Sequence, residues 1–60
     1  MADVLEIRIE QRKRLYQLLR IKKLLHPQNI MEIEVMINAT EAEMEEEDVA
    51  WVEKKVAQLP

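Results

Sequence analysis

Leu25-His26-Pro27-Gln28-Asn29 is the clearest punctuation in this chain, and the fold turns on how it is read. Proline clashes with a helical residue before it and lacks the N–H that a helix interior needs, yet it suits the first turn of a following helix. One element therefore ends near Leu25 and another begins just after Pro27, which divides the chain into two arms.

The first arm reads as a helix over about 3–25. Asp3 with Glu6 three residues later makes a capping-box-like start, and Leu15, Leu18, Leu19, Ile21, Leu24 and Leu25 recur at helical spacings. Arg20, Lys22 and Lys23 fall in its last turns, where cations favour the negative end of the helix dipole. The second arm reads as helical over about 28–59. Ile30, Ile33, Ile37, Thr40 and Met44 form one stripe at spacings of three and four, and Val49, Val52, Val56 and Leu59 form a second that is out of phase with it. The acids Glu45-Glu46-Glu47-Asp48 stand where the phase changes, and Lys54 with Lys55 follow near the end, as a separate last helix would require. A break or bend near Met44 to Glu46 is expected, with a continuous helix carrying a stutter as the alternative, since neither Gly nor Pro stands there. A competing βαβα assignment rests on Leu5-Glu6-Ile7-Arg8-Ile9-Glu10 and Met31-Glu32-Ile33-Glu34-Val35, which alternate apolar and polar as half-buried strands do. The flanks lack the Gly and Ser clusters that turn a chain between strands and helices, so the all-α reading is preferred.

Composition narrows the function. The 60 residues contain no Gly, Cys, Ser or Phe, and one each of His, Trp and Tyr. Without Gly there is no phosphate-cradling loop, dinucleotide fingerprint or nucleophile elbow. Without Ser or Cys, acyl transfer would have to rely on Thr40, Lys or a carboxylate with His26 as base, so no catalytic residue is assigned and a non-enzymatic protein is expected. One His and no Cys cannot build a zinc site, and the six carboxylates of 41–48 lack the Gly turn and alternate spacing of a calcium loop; no metal or cofactor is expected. No run approaches the ~20 apolar residues of a membrane span, and Asp3 and Glu6 do not suit a signal peptide, which leads to the expectation of a cytoplasmic protein without a membrane partner.

Charge is distributed unevenly. Residues 1–29 carry seven basic and three acidic groups, net +4, whereas 30–60 carry two basic and nine acidic, net −7. That opposition favours packing the first arm against the second, antiparallel in a hairpin. The basic residues of the first arm leave a nucleic-acid-binding alternative open, although they surround the helix and the acidic arm would repel phosphates. Leu15-Tyr16-Gln17-Leu18-Leu19 spells a Leu-x-x-Leu-Leu groove-binding pattern, which in a Leu-rich helix reads as core. His26 reads as a helix-end residue, and Trp51, beside Val52, as a core or interface anchor.

Ile9-Glu10-Gln11-Arg12, Leu15-Tyr16, the Pro-containing turn, Glu32-Ile33-Glu34 and Ile37-Asn38 together resemble the layout of the small helical-hairpin aspartyl-phosphate phosphatases of sporulation phosphorelays, over roughly residues 8–40. That family carries a Ser four residues before an Asp in its second helix; Ile30 and Glu34 stand at the matching positions. The resemblance implies a hairpin shape, and the phosphatase activity is not carried over.

A domain of this length buries only ~60% of the surface its unfolded chain exposes, so without disulfides or a metal a partner chain is needed. The expectation is one small helical domain over 1–60, a hairpin that dimerises into a four-helix bundle and acts through protein–protein contacts as a regulator or adaptor. Its self-association core is assigned to Leu15, Leu18, Leu19, Leu25, Ile30, Ile33, Ile37, Val49, Val52 and Val56. Exposed charge on Arg8, Arg12 and Arg20 is assigned as the partner-binding surface.

Overall fold

Three helices follow one another in the computed structural model, which describes residues 3–25 and 28–60: α1 (Val4–Leu24), α2 (Ile30–Ala42) and α3 (Glu46–Ala57). His26 and Pro27, on which the division into arms was read, lie outside the described residues. Asp3 caps α1 with its carboxylate, accepting from the Leu5 N–H at 3.4 Å, and Leu25 closes the helix by donating its N–H to the Ile21 carbonyl. The residues proposed as strands, 5–10 and 31–35, lie within α1 and α2, and no strand occurs among the described residues, which overturns the βαβα alternative. Their polar residues are good helix formers, and the alternation is short enough to be absorbed into a helix.

The break or bend expected near Met44 to Glu46 is a full break, and the continuous-helix alternative does not hold. Glu43 ends α2, Met44 tucks half-buried against the core, and Glu45 adopts an extended backbone (φ −70°, ψ 144°) before α3 begins. Glu46, Glu47 and Asp48 occupy the first turn of α3, where the free N–H groups favour negative charge. A two-armed hairpin is therefore too simple. α1 and α2 run antiparallel, joined at their ends by Lys22 with Glu34 (3.2 Å) and by the Gln11 amide donating to the Glu43 carbonyl (3.1 Å). α3 turns back and runs parallel to α1, its start tied to Arg8 and Arg12 and its end to Lys23.

Two overlapping stripes on α1 account for this arrangement. Arg8, Arg12, Leu15, Leu19 and Lys23, at spacings of three and four, face α3; Gln11, Leu15, Leu18 and Lys22 face α2. Leu15 belongs to both stripes and is completely buried. Around it pack Leu18, Ile37, Val52 and Val56, with Tyr16, Leu19, Ile33, Met44, Val49 and Leu59 partly covered at the edge. All three helices thus contribute to one small aliphatic core. Thr40, also buried, donates its hydroxyl to the Met36 carbonyl at 2.8 Å, so no polar group is stranded there.

Candidate functional site

Asp48 is the chemically distinctive residue of the fold: an ionisable side chain with no solvent exposure. Its position three residues after the Glu45 break aims the carboxylate back at α1, where Arg8 and Arg12, one helical turn apart, project side by side. Arg8 donates from Nε to Oδ2 at 2.9 Å and from Nη2 to Oδ1 at 3.0 Å; Arg12 donates from Nε to Oδ1 at 2.8 Å, and its Nη2 forms an ion pair with the same oxygen at 2.6 Å. Arg8 Nη2 also reaches Glu47 Oε1 at 2.6 Å. Burial disfavours the Asp48 charge, but the hydrogen bonds from Arg8, followed by those from Arg12, outweigh it and hold the carboxyl down to about 2. The same contact with Asp48 raises the Arg8 pKa further above its ordinary range. An acid with both oxygens occupied and so low a pKa has no proton to exchange near neutral pH. The cluster holds helices together, and it is not poised for acid–base chemistry.

Beside it lies a surface groove of about 620 Å³ between α1 and α3. Ile9, Tyr16 and Leu59 supply apolar surface, Trp51 forms one wall, and Lys13 and Lys55 stand on the rim. Trp51 is held in place by the acidic cluster: the Arg12 guanidinium that binds Asp48 also lies over the indole, 4.6 Å from the ring centroid, and Lys55 Nζ is 5.4 Å away. On α2 a separate apolar surface faces outward. Met31, Val35 and Met36 are 77%, 66% and 52% exposed. Among the described residues, no group of three His, Cys, Asp or Glu side chains is placed to hold a metal ion.

The residues assigned from sequence divide among these features. Leu15, Leu18, Ile37, Val52 and Val56 are buried within one chain, and Leu19, Ile33 and Val49 flank them. Leu25 and Ile30 remain at the surface, 71% and 41% exposed, at the end of α1 and the start of α2. Of the assigned surface cations, Arg20 is exposed, while Arg8 and Arg12 are about one-third exposed and direct their guanidinium groups inward to Asp48. Asp48 itself was read only as part of an acidic run. The available signal was the pair Arg8 and Arg12 one turn apart, together with an acid in the first turn of a later helix. Which acid pairs with them is decided by how α3 folds back, and no spacing along the chain encodes that.

No family model matches the chain, and neither a curated protein nor a solved structure matches it.

Proposed function

We propose that this chain is a small non-enzymatic regulator or adaptor of the cytoplasm that acts by protein–protein contact and associates with itself. The observation that carries this reading is an imbalance of apolar burial. Five large apolar side chains are buried among the described residues, whereas eleven are exposed, including Val4, Leu5 and Ile7 at the start of α1 and Met31, Val35 and Met36 along α2. Scattered exposed apolar residues are ordinary, but contiguous ones on a protomer with so thin a core favour a covering surface. The 7.2 kDa mass adds to the argument, since a domain of this size has a small core and association is one of the means by which such domains gain stability.

The nucleic-acid alternative draws no support from the geometry. Arg8, Arg12 and Lys22 are paired with carboxylates, and Lys23 donates to the Val56 and Leu59 carbonyls, which leaves few cations of the first arm for phosphates. Among the described residues, no helix is long and apolar enough to cross a membrane.

Sedimentation across a concentration series, from micromolar to millimolar, tests the reading. A mass rising toward twice that of the protomer is expected; a helical species that stays at 7.2 kDa throughout would refute self-association.

A further inference from the structure

We infer that the α1/α3 groove of one copy receives the outer face of α2 of a second copy. This rests on self-association as the mode of action and names the surfaces that carry it. The groove and the α2 face are both apolar surfaces left uncovered in the protomer, and their charges are opposite. Lys13 and Lys55 line the groove and enter no ion pair among the described residues. α2 contains no basic residue at all; Glu32 lies one turn before Val35 and Met36 on the outward side. A basic-rimmed groove with an apolar floor suits an acidic helix with an apolar face, and this chain supplies one.

The fit extends to the side chains. Met31 and Met36 are unbranched and adapt to irregular surfaces, and sulfur packs well against the aromatic rings that the groove presents in Tyr16 and Trp51. Trp51 is half exposed yet fixed by Arg12, so an anchoring side chain is already ordered before a partner arrives, which lowers the cost of binding. The face of α2 opposite to that packed on α1 is available because α2 is a single layer over α1, with Ile37 and Thr40 as its buried residues. Each copy offers both a groove and a helix face, and the inference relates the two contacts by a two-fold axis, the arrangement that closes a dimer and leaves neither surface free.

Charge exchange between two variants tests this. Lys13→Glu with Lys55→Glu reverses the groove, and Glu32→Lys with Val35→Lys reverses the helix face; these positions lie outside the buried core, and far-ultraviolet circular dichroism checks that each variant retains its helices. Each variant alone is expected to weaken dimerisation by about tenfold or more, since like charges then face each other across both contacts. An equimolar mixture is expected to recover a heterodimer near the wild-type affinity, observed by native mass spectrometry. A wild-type dimer whose two variants dimerise unimpaired, or whose mixture shows no recovery, overturns this inference and leaves self-association standing. A wild-type chain that is monomeric throughout overturns both. As a readout needing no substitution, Trp51 emission should shift to shorter wavelength as wild-type dimers form; emission unchanged across the monomer–dimer transition counts against the groove.

Discussion

Arg8 grips Asp48, forty residues further along the chain, with two nitrogens on two oxygens: Nε to Oδ2 at 2.9 Å and Nη2 to Oδ1 at 3.0 Å. This forked contact joins the first half of α1 to the first turn of α3, and only a planar guanidinium can make it. At the far end of the same stripe, Lys23 donates to the Val56 and Leu59 carbonyls at 2.9 and 3.2 Å. α3 is therefore held at both ends by polar groups from α1, with Val52 and Val56 packed between them.

Acid should loosen the fold through Asp48. Its folded-state pKa, about 2, lies below the ordinary 3.8, so ionised Asp48 favours the folded state fully above about pH 4, and that contribution fades as the pH falls toward 2. Urea midpoints measured from pH 6 down to 2 should drop over this window, and Asp48→Asn should flatten the drop while lowering the midpoint at neutral pH. An unchanged acid slope in that variant would assign the loss to other carboxylates.

The fork predicts a distinction between two basic residues of equal charge. Arg8→Lys keeps the charge but loses the paired geometry, and should lower the thermal midpoint, whereas Arg14→Lys at an exposed position should leave it nearly unmoved. Equal midpoints for the two variants would show that charge alone is enough at Arg8.

Trp51 reports on Arg12. Replacing Arg12 with Gln removes both the bonds to Asp48 and the cation over the indole, a stacking contribution of about 0.5–1 kcal/mol. The indole should become more mobile, seen as lower fluorescence anisotropy and easier quenching by acrylamide. Quenching equal to that of wild type would place the order of Trp51 elsewhere.

Core and surface leucines should separate cleanly. Leu15, fully buried and shared by both stripes of α1, should lose about 2–5 kcal/mol on substitution by Ala, a large part of the stability of any small domain. Leu25, 71% exposed in the protomer, should lose within about 0.5 kcal/mol when the same change is measured under monomeric conditions. Guanidinium unfolding at low protein concentration makes the comparison. Similar losses at the two positions would contradict the burial described for Leu15.

The sequence by itself determined the helical class and the approximate limits of the helices. Those features are local: Asp3 caps the next turn, the periodic Leu and Ile residues lie on one face of their own helix, and the acids of 45–48 favour the nearest helix start whatever the rest of the chain does. Local information also placed most of the core, because Leu15, Leu18, Ile37, Val52 and Val56 sit on stripes that any helical packing would bury. It exposed Arg8 and Arg12 too readily, since a cation on a helix reads as solvated until an acid is brought against it. Tertiary structure alone decided that the two helices of the second arm run in opposite directions, that Leu25 and Ile30 stay at the protomer surface, and that one carboxylate of the acidic run, Asp48, is buried while its neighbours face water. The physical reason is range. Propensity and capping act within a turn or two, whereas the pairing of Arg8 with Asp48 depends on the direction in which α3 leaves a three-residue link, and that direction is set by the packing of Leu15, Val52 and Val56, residues far apart in the chain.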